Sequence, residues 1–347
     1  MKNKTIATDM VTALSYPEIK LFSVIVTLTR KNRDATKSNI DYIIERRIGS
    51  LIGNWKHLAE SLINKGVINI KDSKANEIIY SLTDLGKVFM QDVIKGFYSN
   101  KIFYNEFYTY AEKSQAHKEF CESVYGKNLC QHGMLNMYQL EKIIELLNVR
   151  NEDKILELGC GNGYITEYIS DVTNGNILGI DFSSEAIDSA TKRTSQKSSR
   201  LQFECNNIQD IDYEANTFDK IVSIDSLFFL RDLESSLLKL NNILKDNGYI
   251  VTSFFFPGNN ENFPLSDVVS NSYLGKILKK HNFQYDIFDL TDNNLKHWEL
   301  VKETLEKLKT KFEEENQMFL YNNRMEECRG DYLTKATRCL FVIKKKN

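Results

Sequence analysis

Ile155-Leu156-Glu157-Leu158-Gly159-Cys160-Gly161-Asn162-Gly163 is the stretch on which the fold of this chain turns. Residues 154–158 read as a buried strand, the three alternate glycines as a tight turn at its carboxyl end, and Tyr164-Ile165-Thr166 as the start of a helix. Glycine lets the backbone bend sharply there and lets a ligand approach with no Cβ in the way. A phosphate loop would add a Lys before Ser or Thr, and a dinucleotide turn would place its third glycine one residue later; neither pattern holds. An acid, Glu157, instead stands two residues before Gly159. Such an anion repels a pyrophosphate and favours a cationic amino-acid moiety.

Working outward, Ile177-Leu178-Gly179-Ile180-Asp181-Phe182-Ser183 is a second apolar strand ending in a carboxylate. Asp181 falls at about the interval after the turn at which a strand-helix-strand unit sets an acid on a ribose hydroxyl pair. The turn and this acid together suit a zwitterionic, sulfonium-bearing ligand. Further strands are expected at residues 201–204, 220–224 and 249–255, with a turn at Asn247-Gly248 before the last. Helices are expected at 140–147, 164–172, 184–194 and 235–244. This alternation predicts an α/β fold with a parallel, doubly wound sheet. Residues 291–316 follow as a long charged amphipathic helix, and 337–345 as a final strand.

These segments, with Phe203-Glu204-Cys205-Asn206-Asn207-Ile208 and Phe218-Asp219-Lys220-Ile221-Val222, resemble in their order the class I methyltransferases that use S-adenosylmethionine. The resemblance covers about residues 140–255 and implies a Rossmann-like domain with that cofactor. It implies that Gly159, Gly161 and Gly163 form the turn that cradles the methionine part, with Glu157 helping to anchor its ammonium. Asp181 would take the ribose hydroxyls, Phe182 would cover one face of the adenine, and Ile208 would offer a backbone N–H to the ring. Asn207 stands where the family usually has an acid on the adenine amino group, and Asp225 would face the methionine end or the acceptor. In similar enzymes the stretch before the first strand lines the acceptor pocket, so Tyr125 and His132 are the catalytic candidates, His132 as general base. Leu227-Phe228-Phe229-Leu230-Arg231-Asp232 holds no histidine where some O-methyltransferases carry theirs, which favours N- or C-methylation.

The first hundred residues have another pattern: apolar stretches at 19–28, 40–48 and 52–63, a strand-turn-strand ribbon over 67–83, and a helix from Thr83 towards Phe97. Three helices, a ribbon and a helix resemble a winged helix. We therefore expect a mainly helical winged-helix-like domain over 1–100, a helical linker or lid over 101–135, and the catalytic domain over 136–347. Residues 1–100 hold 15 Lys and Arg against 10 Asp and Glu, and the third apolar stretch carries Lys56 and His57 but also Glu60. That is little charge for gripping phosphate, so dimerisation is expected rather than DNA binding.

A net charge of −2 and 42% hydrophobic residues describe an ordinary globular chain and point away from nucleic acid. No apolar run approaches the roughly 18 to 20 residues that span a bilayer, and the start lacks a signal-peptide pattern, so a cytoplasmic location without membrane attachment is expected. The six cysteines form no Cys-x-x-Cys pair and no zinc-ligand spacing, and no metal is expected. The expected activity is methyl transfer to a small, partly apolar molecule by a homodimer. A winged-helix regulator sensing the same cofactor and a methyltransferase acting on protein remain open.

Overall fold

The computed structural model describes residues 14–74, 77–95, 98–258 and 263–346. The chain divides into two compact units: one runs to Tyr110 and includes Phe312–Asn323, and the other comprises Ala111–Lys311 and Arg324–Asn347.

In the first unit, helices Tyr16–Arg30, Lys37–Arg47 and Lys56–Asn64 bury Leu21, Phe22, Ile25, Leu28, Ile40, Ile44, Leu58 and Leu62 in one core. The spacing of these residues is that of one helical face. Glu18 ties the helices together, accepting from the Ser15 N–H at 2.6 Å, the Ser61 hydroxyl at 2.6 Å and Lys65 at 2.7 Å. Burial opposes its charge, but these donors win and hold its pKa down at about 2. Strands β1 (Ile68–Lys74) and β2 (Glu77–Leu82) form an antiparallel ribbon with a bulge between Ile70 and Asp72. Helix Asp84–Lys95 follows, and Gly86 has no room for a side chain because a Cβ would stand 2.1 Å from the Val67 carbonyl. The expected helix over 52–63 is replaced by a 3-10 turn at Gly49–Leu51 and a helix that starts only at Lys56. Gly53, at φ +72°, breaks the path and leaves Ile52 in solvent. The expected end of the next helix, at Phe97, lies outside the described residues.

The second unit is built on a seven-stranded sheet. Strands β3 (Lys154–Leu158), β4 (Asn176–Asp181), β5 (Leu201–Cys205), β6 (Phe218–Ser223), β7 (Leu244–Phe256), β8 (Tyr285–Asp289) and β9 (Thr337–Lys344) lie in the order β5-β4-β3-β6-β7-β9-β8. The first five are mutually parallel; β9 runs antiparallel to β7 and β8 antiparallel to β9. Both faces of the central strands are apolar. Leu156, Leu158, Ile180 and Ile221 enter one core, and Ile155, Ile177, Val222 and Leu340 enter the other. A sheet covered on both sides requires this continuity, and the unbroken runs in the sequence reflect it.

Two expectations change. The Asn247-Gly248 turn is a bulge inside β7: Asn247 does take a positive φ of 64°, but the pairing with β6 slips there and resumes at Tyr249. The chain beyond β7 also adds β8, which the sequence did not announce. Because the chain lays β4 and β5 on one side of β3 and β6 on the other, the strand order reverses at the carboxyl end of β3. Ligands of open α/β sheets sit at such a point. Among the described residues no helix is long and apolar enough to cross a membrane.

Lys220 on β6 is buried, with its ammonium on the Asp153 carboxylate and on the Asn148 carbonyl at 2.8 Å. Asp153→Ala leaves that cation buried without its counter-charge. The expected loss is about 3 kcal/mol, read from the urea midpoint, with part recovered in the double variant that adds Lys220→Met.

Candidate functional site

The turn after β3 is bound to its neighbour strand: the N–H groups of Gly159 and Cys160 both donate to the Ile180 carbonyl, at 2.8 and 3.0 Å. Gly159, Gly161 and Gly163 have φ of 72°, 55° and 72°, a region that side chains rarely adopt. The three do not share one reason. A Cβ on Gly159 would stand 2.6 Å from the Ser226 Cβ, so this glycine lets the β3 and β6 edges close on each other. At Gly163 a Cβ would stand 2.5 Å from the Phe203 ring and 2.9 Å from Ala190. Gly163 is therefore required by the protein's own packing.

Two acids lie beneath the turn, both withdrawn from water. Asp181 accepts the Gly161 N–H on one oxygen at 3.0 Å and the Ser183 N–H on the other at 2.8 Å, which fixes the carboxylate at the end of β4. Glu157 is 2% exposed, and its Oε2 has no hydrogen-bond partner. Burial pushes its pKa up to about 7; the Asp181 charge adds to the rise and Thr166 opposes it. Orphaned acceptors inside a protein call for a donor from outside the chain. An ammonium-bearing ligand answers that need, whereas a phosphate would meet two acids.

The remaining expected residues fall into two groups. Phe182, half-buried, follows Asp181 directly. Ile208 is buried in the core on one face of the sheet. Asn207 is spent on its own turn: its Oδ1 accepts from the Gln209 N–H at 3.1 Å and its Nδ2 donates to Asp210 at 2.9 Å. The side chain thus caps its own turn.

Asp225, at φ +53°, is likewise engaged by the protein. Arg338 grips it with two nitrogens at 2.8 and 3.1 Å, the Ser253 hydroxyl donates at 2.9 Å, and the Met134 N–H donates at 3.0 Å. Burial works against its charge, but Arg338 outweighs it and the pKa stays below the ordinary range. Asp225 thus anchors the segment that precedes the helix Met137–Leu147. Tyr125 holds the same segment from the other side, donating to the Gly133 carbonyl at 3.1 Å while its oxygen receives Arg324 at 2.6 Å. Burial raises its pKa well above the ordinary phenol value, so it keeps its proton while it tethers this segment. His132 is next in line, its Nε2 3.9 Å from Glu327.

Sequence reasoning missed Arg324, Arg338 and Gln139, whose Oε1 accepts from Arg338 Nε at 2.8 Å. Arg338 carried a signal, a lone charge in the apolar run Cys339-Leu340-Phe341-Val342-Ile343; Arg324 carried none. Among the described residues no group of three or more His, Cys, Asp or Glu is placed to hold a metal ion.

Because the folded chain holds the Glu157 proton more tightly than the unfolded chain does, this residue makes stability fall as pH rises from about 4.5 to about 7. Glu157→Gln is expected to remove up to about 1.4 kcal/mol per pH unit of that slope. Urea midpoints measured from pH 5 to 8 without ligand check it; an unchanged slope places the proton elsewhere.

Residues 150–316 match the model of a family described as methyltransferase domain, and residues 73–221 match that of protein-L-isoaspartate(D-aspartate) O-methyltransferase. Malonyl-[acyl-carrier protein] O-methyltransferase of Bacillus anthracis is 35% identical over 103 residues, covering 29% of this chain and 37% of that protein. The mitochondrial arginine-hydroxylase NDUFAF5 of Homo sapiens is 32% identical over 106 residues, 30% of each. Across the first of the curated relatives the chain spans 26% to 37% of their length. The solved structure of phosphoethanolamine N-methyltransferase 2 from Haemonchus contortus, in complex with S-adenosyl-L-methionine, superposes with a TM-score of 0.53 at 16% identity. That match covers 78% of this chain and 63% of the other and speaks for the fold alone. The family match covers the glycine turn, both buried acids and six of the seven sheet strands, and over these residues the chain carries a methyltransferase domain of the kind that uses S-adenosylmethionine.

Proposed function

We propose that this chain transfers a methyl group from S-adenosylmethionine to a small-molecule acceptor. The observation that carries the reading is the buried Glu157 carboxyl group, one oxygen of which has no hydrogen-bond partner, beside Asp181 at the strand-order reversal. Glu157 would hold the ammonium of the cofactor, Asp181 the ribose hydroxyls, Phe182 the adenine face and Ile208 its backbone N–H. When bound, the cofactor supplies a methyl group on a sulfonium, which is open to in-line attack by a nucleophile. The protein's share in such chemistry is to place the acceptor and exclude water, and acid-base help is secondary. Tyr125 and Asp225 fasten the segment before the helix Met137–Leu147 over the sheet edge, and His132, beside Glu327, is the residue we place to move a proton. The acceptor would lie between this segment and residues 289–298.

For the first unit we propose self-association. Ile70 and Ile78 on the ribbon are exposed, and helix Lys56–Asn64 offers Lys56 and His57 against Glu60, which suits an apolar contact better than a phosphate backbone. Light scattering in solution should then give twice the mass of one chain.

The NDUFAF5 relative shows why cofactor binding alone does not settle the reaction: its name describes a hydroxylase. Purified protein is therefore expected to bind S-adenosylhomocysteine with micromolar affinity and to convert S-adenosylmethionine to that product when an acceptor is supplied. Asp181→Ala should weaken binding at least about a hundredfold, since it removes a charged partner of two hydroxyls. Binding by Asp181→Ala at full strength would remove this residue from the site.

A further inference from the structure

A second set of unsatisfied polar atoms lies in the same unit, next to the glycine turn but separate from the two acids. His297, on helix Thr291–Glu314, is 3% exposed, and neither ring nitrogen has a partner. The indole N–H of Trp298, the Nε–H of Arg324 and the Oδ1 of Asn294 are also buried and unpartnered. These residues are neighbours. The His297 ring centre is 5.4 Å from that of Tyr125 and 5.6 Å from that of Trp298, and the Tyr125 hydroxyl receives Arg324 at 2.6 Å. Asn294 stands one helical turn before His297 and Trp298. The cluster also connects to the cofactor turn. Arg324 donates to the Gly133 carbonyl at 3.0 Å, the Met134 N–H reaches Asp225, and the hydroxyl of Ser226 donates to the Leu158 carbonyl just before the turn at 2.7 Å.

Buried polar atoms without partners are costly, so four residues carrying them within one stretch of the fold are unlike chance defects. Their open valences are mostly donors: Arg324 Nε–H, Trp298 N–H and one nitrogen of a neutral imidazole, against the Asn294 oxygen and the other imidazole nitrogen. The charge around them leans the same way. Arg324 is paired with Glu327 and Arg338 with Asp225, yet burial and the two guanidinium groups keep His297 neutral, with a pKa near 3, and only Asp225 pulls the other way. A protonated amine would be unwelcome here, and an oxygen anion would be favoured.

We propose that the His297, Trp298 and Arg324 side chains form the acceptor's recognition site and take an anionic oxygen group, a carboxylate or a phosphate. This rests on the reading of the chain as a methyltransferase and narrows its acceptor class. His297 and Trp298 would donate to the anion's oxygens and Arg324 Nε would complete the set. The carbon skeleton would extend towards the aromatic residues Tyr125 and Phe120, whose rings lie edge to face at 5.8 Å. The methyl-accepting atom would then be placed by an anchor remote from it, as a positioned substrate requires.

The test uses the full chain labelled with ¹⁵N and follows its two indole N–H signals, that of Trp298 assigned by its loss in Trp298→Phe. Benzoate, phenyl phosphate and benzylamine are titrated separately, with and without S-adenosylhomocysteine. The Trp298 signal is expected to shift with benzoate or phenyl phosphate at dissociation constants in the millimolar range, and to stay in place with benzylamine. His297→Leu should weaken the anion's binding at least about tenfold, and His297→Gln, which keeps a donor and an acceptor, should retain most of it. The heat of S-adenosylhomocysteine binding verifies that each variant is folded. A signal unmoved by both anions, an equal response to benzylamine, or unaltered anion binding by His297→Leu would overturn the proposal. Absence of S-adenosylhomocysteine binding in the wild type would strike the methyltransferase reading instead, and the titrations without it would still decide the anion site.

Discussion

The site of the sheet-bearing unit depends on an acid held out of water with one of its oxygens unpartnered. Glu157 sits on the central strand, where burial favours its neutral form, and a second acid at the end of the adjacent strand adds to the cost. A chain selected only to fold would place an apolar residue there. The glycine turn, the backbone donors fixed on Asp181 and the reversal of strand order at this edge all become intelligible if the missing partner is a cation that arrives with a ligand. That constraint also explains why this turn differs from a phosphate-binding one, where the backbone amides and a lysine would face an anion.

Around this point the protein builds a rigid edge from ion pairs between distant segments. Arg338, fully buried in an antiparallel strand, reaches back 113 residues to Asp225 and, through its Nε, to Gln139. Gln139 and Asn136 both donate to Asn293 Oδ1, at 2.6 and 2.9 Å, so the start of the long helix Thr291–Glu314 joins the same network. A network satisfied to this degree fixes one arrangement, because any displaced member would leave charge in the interior. The neighbouring cluster at His297 is the opposite case, well placed but incomplete. One network is closed and the other open, as scaffold and recognition would require.

The parallel part of the sheet was legible because its signals are local. Apolar runs of five or six residues, punctuated by glycine and by helix caps such as Ser183, specify strand, turn and helix within short windows, and β3, β4 and β5 fall within a residue of where they were expected. Glu157 and Asp181 were legible for the same reason, being fixed by their spacing from the turn. Strand β8 was not: Tyr285-Asp286-Ile287-Phe288-Asp289 is a short half-exposed edge that pairs with β9, fifty or more residues later in the chain. At Asn247 the local signal identified the positive φ correctly but not its consequence, because pairing with β6 carries the strand through the bend. Asp225 and Asn207 also have partners that spacing does not reveal, a remote arginine in one case and an adjoining turn in the other.

The central claim is that ligand binding turns the buried Glu157 into a carboxylate paired with an ammonium, and proton release measures this directly. S-adenosylhomocysteine titrated calorimetrically at pH 7 into the wild type, in buffers of differing ionisation enthalpy, should release about half a proton more than it does from Glu157→Gln, because a group with a pKa near 7 is then half protonated. Equal proton release by the two proteins, with binding intact in both, would show that Glu157 does not meet the ligand's charge and would contradict this account of the site.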